Sequence, residues 1–453
     1  MQPLHVGDEL ELYIKKLGIN GEGIGYYQNL AIFVDHAIPQ EHVLVQITDI
    51  YHNRAEAKVL RILEASQHRQ TPFCPVYEQC GGCQTQHIAE DQMAIFKREL
   101  IIQAFKRYIS SPVLEHLVKE TIRSPKTSHY RNKASLPVRK IDQKNAFGMY
   151  QRNSNQFIKI DHCPVQYEEI NKIFQTAIML LDHYRLDAYD QKRKKGFVVS
   201  IVCRYSIKEK QAQVTFHMKK QDQRLKRLSK ALVDQHKEII SIYQVLTSDP
   251  KKTRFFEGEK TLIYGEPHMK ETLNGHTFLL GPEAFFQLNS DQAHHFYQEM
   301  ARLANLKKHE VAIDAYAGSS PVSHYIHDQC KKVYAIELNK ESCLSAKASL
   351  ALNNISNVIV LESDFFKALN SMKKMPIDVM FFDPPRTGLG HQTILSILKH
   401  KPKRIIYGSC NPSTLAKDLD LLLNDYDLIE TVPLDMFPQT ALVESVTLLH
   451  KKS

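Results

Sequence analysis

The sequence contains no tryptophan and no apolar run close to the roughly 18 residues that a membrane-spanning helix needs. Any stacking of a nucleotide base on this protein must therefore use phenylalanine, tyrosine, histidine or arginine. Residues 1–5 lack the basic start and the apolar core of a signal peptide. Low-complexity segments are also missing, which excludes a mainly disordered chain. We therefore expect a cytoplasmic protein that does not contact membranes.

The composition is that of an ordinary globular protein with a basic surplus. With 453 residues, the chain is long enough for several domains of about 100–200 residues each. Hydrophobic residues make up 43% of the chain and charged residues 24%, which is typical of globular proteins. The net charge of +9 fits a polyanionic partner such as nucleic acid, although many enzymes without such a partner are also basic.

Residues 1–64 have the pattern of a small antiparallel barrel. Short segments rich in β-forming residues alternate with turns, the first of which is rich in glycine. The segment Gly21-Glu-Gly-Ile-Gly, followed by Ile32-Phe-Val and Ile38-Pro-Gln-Glu, resembles the TRAM domain, an OB-like RNA-binding barrel. The alternative is a generic small barrel without a ligand. We expect a TRAM RNA-binding barrel over residues 1–64.

The rest of the chain divides into two further predicted domains. Residues 65–270 would form a central domain, and residues 271–453 a C-terminal domain. The segment 91–108 has the spacing of an amphipathic helix that could pack on the C-terminal domain. From about residue 291, strands and helices alternate at intervals typical of a doubly wound α/β sheet. The predicted fold class is therefore a multidomain α/β protein.

Three of the eight cysteines, namely Cys74, Cys80 and Cys83, lie within ten residues of one another. In a reducing cytosol, such a cluster favours a metal site over a set of disulfides. A set of four thiolates would suit zinc and an iron–sulfur cluster equally well by ligand chemistry. The spacing therefore leaves both metals open.

Acidic residues end or follow four of the predicted strands in the C-terminal domain. They are Asp314, Glu337, Asp364 and Asp383. Ligands of open α/β sheets bind at the carboxyl ends of the strands, where an acid after the second strand can bond ribose hydroxyls. Each acid alone could merely cap the following helix, but four in register favour a ligand site. This arrangement resembles the class I methyltransferases, which bind S-adenosylmethionine (SAM).

Further motifs accompany these acids. Residues 381–386 read Phe-Phe-Asp-Pro-Pro-Arg, and residues 408–412 read Gly-Ser-Cys-Asn-Pro. The second motif places Cys410 in a polar turn at a strand end, which favours a nucleophile over a buried structural cysteine. Residues 285–289 read Phe-Phe-Gln-Leu-Asn, and Asp435-Met-Phe-Pro-Gln-Thr precedes Glu444. In this order, the motifs resemble those of the RNA uracil-5-methyltransferases over nearly the whole chain.

The resemblance implies a SAM-dependent enzyme in which Cys410 is the nucleophile and Glu444 the base. It also implies a set of binding residues. Those for SAM are Gln287, Tyr316, Glu337, Asp364 and Asp383, and those for RNA are Phe285, which supports the target base, and Arg131, Asn132 and Lys133, which contact phosphates.

The resemblance extends to the cysteines and to the substrate. Cys74, Cys80, Cys83 and Cys163 match the four ligands of a structural [4Fe–4S] cluster in the rRNA-modifying branch of the family. Since the tRNA enzymes of the group usually lack both this set and the TRAM domain, the expected partner is 23S rRNA. A tRNA substrate stays open as an alternative, and we expect a monomer.

The sequence departs from the family pattern near two sites. Ser320 replaces the second glycine of the SAM loop, and Pro321 follows it. Gln439 and Leu442 stand where the family often has histidines, close to Glu444. One alternative is therefore a member that has lost SAM use and only binds RNA. Another is an amino-group methyltransferase that acts through Asp-Pro-Pro without a cysteine.

Overall fold

The computed structural model of the protein describes residues 4–247, 258–372 and 375–453. Residues 1–3 lie outside the described residues; they belong to the segment 1–5 that was examined above for the features of a signal peptide. Among the helices that are described, none combines the length and the apolar character that a membrane crossing requires.

The N-terminal part folds into one six-stranded sheet in the order β1-β5-β6-β4-β3-β2. Beyond β1, the Lys15 amide donates to the Ile24 carbonyl of β3 at 2.9 Å, which curls the sheet. The apolar side chains of alternating positions, such as Val43, Val45 and Ile47, are buried inside it. The strands are β1 (Glu9–Tyr13), β2 (Lys16–Leu17), β3 (Gly23–Tyr27), β4 (Leu30–Asp35), β5 (His42–Tyr51) and β6 (Arg54–Glu64).

The first helix follows the cysteine-rich segment. It is α1 (Glu90–Phe105), and a single-turn helix, α2 (Leu114–Leu117), comes after it. The sequence predicted that the first helix continues to residue 108. It ends earlier because the amide of Tyr108 bonds back to the Phe105 carbonyl at 2.9 Å in a turn.

The central part is a seven-stranded sheet in the order β13-β12-β11-β10-β7-β8-β9. Two helices pack on it and share an apolar core that includes Phe174, Phe216 and Leu228. The elements are β7 (Lys133–Ile141), β8 (Lys144–Tyr150), β9 (Phe157–Lys159), α3 (Glu168–His183), β10 (Val198–Ser206), β11 (Gln211–Met218), α4 (Arg224–Gln235), β12 (Ile239–Thr247) and β13 (Gly258–Gly265).

A hairpin and a second seven-stranded sheet complete the chain. The hairpin consists of β14 (Met269–Leu273) and β15 (His276–Leu280). The elements that follow are α5 (Ser290–Ala304), β16 (Val311–Ala315), α6 (Pro321–Ile326), β17 (Lys332–Glu337), α7 (Lys340–Leu352), β18 (Val358–Glu362), α8 (Phe365–Ser371), β19 (Val379–Phe382), α9 (His391–His400), β20 (Arg404–Ser409), α10 (Pro412–Leu422), β21 (Tyr426–Leu434) and β22 (Glu444–Lys451).

The strand order of this sheet is β18-β17-β16-β19-β20-β22-β21. The first five strands are parallel, while β22 runs antiparallel between β20 and β21. Helices cover both faces, so every residue of Val379–Phe382 in the central strand β19 is buried. Helix α1 shares this core, since Ile101 and Phe105 belong to the same apolar cluster as residues of α10.

Candidate active site

The strand register brings the carboxyl ends of this sheet together. Ser409 of β20 pairs with Ser445 of antiparallel β22, which sets Cys410 opposite Glu444. Phe382 of β19 pairs with Tyr407 of β20, so Asp383 emerges beside the end of β20. The same edge therefore carries the nucleophile candidate and two carboxyl groups.

Glu444 lies almost entirely out of water. Its exposed fraction is 3%, and its Oε2 atom is buried without a hydrogen-bond partner. Burial raises the pKa of Glu444 to about 8, and the charge of Asp383 adds to the increase, whereas Arg386 and Lys97 oppose it. At neutral pH the group is therefore held mainly as the neutral acid, with a pKa suited to exchanging protons.

Cys410 is half-buried just beyond β20. The pKa of its thiol is raised to about 11, first by the loss of solvent and then by the carboxylates of Glu444 and Asp383, while Arg386 opposes the increase. A cysteine that is reactive at rest usually has a lowered pKa. This thiol is therefore neutral at rest, and it becomes a nucleophile only when its proton is removed.

Asp383 and Tyr297 complete the desolvated pocket. Burial raises the pKa of Asp383 to about 6. Tyr297 of α5 is 2% exposed, and its pKa is raised by burial and then by the charges of nearby carboxylates, including Asp383 and Glu444. The pocket thus concentrates acidic groups where water screens them only weakly: Glu444 is buried, Asp383 is partly buried, and Arg386 lies at the exposed rim.

The loop after β16 has the backbone of a ligand-binding turn. Tyr316, Gly318 and Ser320 all adopt positive φ angles, of 59°, 55° and 61°. The Gly318 amide donates to Glu337 Oε2 at 2.8 Å, and a Cβ at Gly318 would meet no atom within 4 Å. Open space therefore adjoins the loop, next to the carboxylate at the end of β17.

The departures from the family pattern are accommodated in this loop. Ser320 takes the left-handed conformation that glycine would adopt more easily, at a cost of about 1–2 kcal/mol. Pro321 occupies the first position of α6, where its missing amide hydrogen is not needed. The substitution therefore adds local strain but leaves the course of the backbone intact.

Two of the strand-end acids serve partly as structural caps. Asp314 accepts hydrogen bonds from the Ser323 hydroxyl at 2.6 Å and from its amide at 3.1 Å, and burial raises the pKa of Asp314 to about 7. Asp364 accepts from the Lys367 amide at 3.1 Å at the start of α8. The capping alternative therefore describes part of what these two acids do.

The segment before α5 supplies one buried and one exposed candidate. Gln287 is 4% exposed, whereas the ring of Phe285 is 62% exposed beside the loop after β16. The Ser319 hydroxyl points to the Phe285 carbonyl at 3.5 Å. An exposed aromatic ring at this edge is available for contact with a base.

The predicted phosphate contacts are not on an open surface. Asn132 is 3% exposed, and its amide donates to the Gln287 carbonyl and to the Ser290 hydroxyl, both at 2.9 Å. Both of its donors therefore hold the start of α5, and the phosphate contact of Asn132 stays a prediction. Arg131 and Lys133 line a cavity next to the cysteines, and their RNA contacts stay predictions.

All four predicted metal-binding cysteines line one cavity of about 280 Å³. They lie within electrostatic range of each other, since Cys163 and Cys80 both contribute to the raised pKa of Cys83 after its burial. Within the described ranges, no group of three or more His, Cys, Asp or Glu side chains has the arrangement of a site for a metal ion. The iron–sulfur cluster therefore stays a prediction.

Sequence reasoning did not predict which donors hold the connection 435–443 between β21 and β22, although one of them, Asn289, belongs to a quoted motif. Four successive carbonyls of this connection accept hydrogen bonds from different parts of the chain. The donors are Asn289 to Met436 at 3.2 Å, Lys97 to Phe437 at 3.2 Å, the Tyr130 hydroxyl to Pro438 at 3.0 Å, and the Gln84 and Thr85 amides to Gln439 at 2.9 and 3.1 Å.

One of these donors carried a signal in the sequence. Lys97 stands on the apolar side of the first helix, four residues from both Met93 and Ile101. A charged residue on such a face needs a buried partner. The signal was visible, but the partner is far away in sequence.

The raised pKa of Glu444 predicts a pH-dependent effect on stability. Between the ordinary value of 4.5 and about 8, the unfolded chain loses this proton while the folded protein keeps it, so stability falls as the pH rises. Glu444→Gln removes this loss, so the free energy of unfolding of the variant relative to wild type should be more favourable at pH 8.5 than at pH 4 by at least about 1 kcal/mol. Denaturant unfolding at the two pH values measures this difference. The exposed Glu120→Gln is the control, and an equal effect of Glu444→Gln at both pH values would contradict the assignment.

Comparisons with known proteins identify the family. The family model described as tRNA (Uracil-5-)-methyltransferase matches residues 97–452, and the TRAM domain model matches residues 3–60. An uncharacterized RNA methyltransferase from Bacillus cereus is 34% identical over 99% of this chain and 98% of its own. One from Halalkalibacterium halodurans is 36% identical, with 98% of this chain and 97% of its own covered.

A solved structure shows the same fold. The tRNA (uracil-54, C5)-methyltransferase of Pyrococcus abyssi, in complex with S-adenosyl-L-homocysteine, superimposes with a TM-score of 0.75 at 23% identity. The match covers 97% of this chain and 100% of that chain. The predicted TRAM domain and SAM-dependent methyltransferase fold are confirmed. The chain belongs to the tRNA (uracil-5-)-methyltransferase family of RNA methyltransferases, and it carries a TRAM domain near its N-terminus.

Proposed function

We propose that this protein methylates C5 of a uridine in 23S rRNA through a covalent bond between Cys410 and C6 of the base. The observation that carries the proposal is the register of β20 and β22, which sets the Cys410 thiol against the buried Glu444 carboxyl group. A nucleophile and a base on one desolvated edge are what this reaction needs. The alternative substrate is a tRNA.

The role of Cys410 follows from the chemistry of uracil, whose C5 atom is a poor nucleophile. Addition of the Cys410 thiolate to C6 moves the electrons of the C5–C6 double bond towards the O4 carbonyl and makes C5 electron-rich. One difficult step is thereby divided into easier ones. The positive charge of Arg386 favours the thiolate, and it opposes the effects of burial and of the two carboxylates on the pKa of Cys410.

Glu444 is proposed to complete the reaction. Once C5 carries the methyl group, the Glu444 carboxylate takes the C5 proton, the electrons of that bond reform the C5–C6 double bond, and the C6–sulfur bond breaks. Cys410 leaves as the thiolate. A carboxyl group with a pKa of about 8 can both accept this proton and release it again near neutral pH.

The residues around the loop after β16 fit SAM, which supplies an electrophilic methyl group when bound. Gln287, Tyr316, Glu337 and Asp383 would hold it, with Asp364 near the adenine. Two observations support this assignment. Open space adjoins Gly318, and the Glu337 carboxylate at the strand end is suited to bonding ribose hydroxyls.

An open cleft supports RNA as the substrate. A cavity of about 700 Å³ lies between the N-terminal sheet and the edge that carries Cys410. Five basic side chains suited to phosphates outnumber three carboxylates in its lining, and two of the arginines pair with these carboxylates. The basic residues are Arg54, Lys58, Arg107, Arg152 and Arg386, and the acidic ones are Glu22, Asp35 and Glu56. The target uridine would leave its stack to enter the pocket, with Phe285 as a support for the base.

The covalent step predicts trapping by 5-fluorouridine in RNA. Fluorine at C5 cannot be removed as a proton, so the bond from Cys410 to C6 should persist once methyl transfer has occurred. With SAM present, we expect a protein–RNA complex that survives a denaturing gel. Cys410→Ala should abolish the complex, whereas Cys330→Ala, a buried cysteine away from this edge, should retain it. Trapping by Cys410→Ala would contradict the proposal.

The choice of substrate predicts where 5-methyluridine is lost in a deletion strain. The TRAM domain and the four cysteines favour rRNA, so the modification should disappear from 23S rRNA and stay in tRNA. Mass spectrometry of the two purified RNA pools measures this directly. Wild-type protein should restore the modification, and Cys410→Ala should not. Loss from tRNA alone would favour the alternative substrate.

The four cysteines are proposed to hold a structural [4Fe–4S] cluster. Support comes from their shared cavity and from the ligand chemistry of four thiols. Protein purified without oxygen should contain about four iron and four sulfide per chain. Cys80→Ser should lower both contents, whereas Cys203→Ser, outside the cavity, should retain them. Stoichiometric zinc without sulfide would overturn the assignment in favour of a zinc site.

A further inference from the structure

A lysine is buried without any exposed surface in the middle of α1. The side chain of Lys97 is 0% exposed, and it is among the largest fully buried side chains described. Its helical neighbours Met93, Leu100 and Ile101 are apolar and buried. An unbranched apolar residue would fill this position without the desolvation of an ammonium group. The charge therefore calls for an explanation beyond packing.

The ammonium group of Lys97 contacts two points of the chain, Asp435 and Phe437, which are two residues apart. It forms an ion pair with Asp435 and donates to the Phe437 carbonyl at 3.2 Å. Asp435 is the first residue after β21, and its own amide donates to the Ile122 carbonyl at 2.9 Å. Lys97 thus fixes the beginning of the connection 435–443.

This connection leads directly to Glu444. The last residue of β21, Leu434, pairs with Glu444 at the start of β22. The beginning of the connection and the base therefore lie side by side. A displacement at Asp435 would be transmitted to Glu444 over the distance of one strand pair.

Lys97 is also the buried cation in the surroundings of Glu444. The groups that face Glu444 are distributed over several elements. They are Lys97 on α1, Asp383 and Arg386 after β19, Cys410 after β20 and Tyr297 on α5, while Asp435 after β21 faces Lys97. Arg386 is exposed at the rim and lowers the pKa of Glu444 more than Lys97 does, whereas Lys97 is the fully buried cation that is also bonded to the connection 435–443.

We propose that Lys97 is a positioning residue for the base Glu444, which it holds through Asp435 and the Phe437 carbonyl while its charge favours the Glu444 carboxylate. This inference rests on the proposed function. Lys97 acts on the removal of the C5 proton, which comes after the attack by Cys410. Loss of the lysine should therefore slow the second half of the reaction and spare the first half.

The electrostatics agree with this geometry. Lys97 lowers the pKa of Glu444, and Glu444 in turn contributes to raising that of Lys97 against the larger effect of burial. Removal of the positive charge would raise the pKa of Glu444 further. Less of the base would then be ionised at a given pH, so the rise of proton removal with pH should shift to higher pH.

The experiment separates the two halves of the reaction. Trapping by RNA with 5-fluorouridine reports the attack by Cys410, and tritium release from [5-³H]uridine in RNA reports removal of the C5 proton. Lys97→Met leaves Asp435 buried and unpaired, which could prevent folding. The test variant is therefore the double substitution Lys97→Met/Asp435→Asn, which removes both charges and keeps the volume.

We expect this variant to trap 5-fluorouridine at the wild-type rate. Tritium release at pH 7 should be slower by about tenfold, which corresponds to one unit in pKa, and should recover at higher pH. The control is Arg404→Met/Glu310→Gln, which removes a buried ion pair at the opposite end of β20. It should leave the ratio of the two rates and the pH profile unchanged.

Each outcome decides between distinct conclusions. Unchanged tritium release with the wild-type pH profile would overturn the role of Lys97, because the ion pair would then be structural only. An equal loss of trapping and release would also overturn it. If the double variant does not fold, Lys97→Arg, which keeps the charge, must show the wild-type pH profile, and a shifted profile would overturn the proposal. If wild-type protein does not trap 5-fluorouridine, the proposed function itself fails.

Discussion

The connection 435–443 is the constraint on which the catalytic edge depends. Its carbonyls accept hydrogen bonds from α1, from the segment before β7, from the residues before α5 and from the cysteine-rich segment. Buried carbonyl groups require such partners. Since the donors come from parts of the chain that are distant in sequence, the base at the end of this connection is in place only when the cysteine-rich segment, α1, the segment before β7 and the C-terminal part have assembled.

The pocket that results is acidic and largely shielded from water, and this combination determines its proton chemistry. Asp383 and Glu444 raise the pKa of Cys410, and Asp383 also raises that of Glu444. In water these effects would be small, because charges a few ångströms apart are screened. The site therefore rests with the thiol neutral and Glu444 largely protonated, which protects the thiol from adventitious reaction. A carboxyl group with a pKa of about 8 can accept and release a proton near neutral pH at a small cost in free energy.

Much of the fold and part of the site could be predicted from the sequence, for physical reasons that differ between the two. The doubly wound sheet follows from apolar strands such as 379–382, which alternate with helices. Cys410 was predicted as the nucleophile because it stands in a polar turn at a strand end, and Glu444 was predicted as the base from the family resemblance; both roles stay predictions. The pairing of Cys410 with Glu444 depends on the register of β20 and β22, however, and neither strand encodes that register alone.

Asn132 shows what a motif alone does not reveal. The motif identifies a polar side chain, but only the tertiary structure reveals that its donors are consumed by Gln287 and Ser290. For Lys97, the sequence shows a charge on an apolar helix face, which predicts a buried residue with a polar partner. The sequence does not identify that partner. In both cases the missing information is a contact across more than a hundred residues of sequence.

The segment around Asn132 also connects the cysteine cavity to the catalytic edge. The Arg131 amide donates to the Val165 carbonyl at 2.9 Å, two residues beyond Cys163. The next residue, Asn132, donates its backbone amide to Leu288 and its side chain to the Gln287 carbonyl. Two adjacent residues thus link a wall of the cavity to the segment that leads into α5. Anything that orders the cysteines also orders this segment, since backbone hydrogen bonds on both sides leave little room for independent movement. A structural role for the cysteines therefore needs no contact with the reacting atoms, because it can act through the position of Gln287.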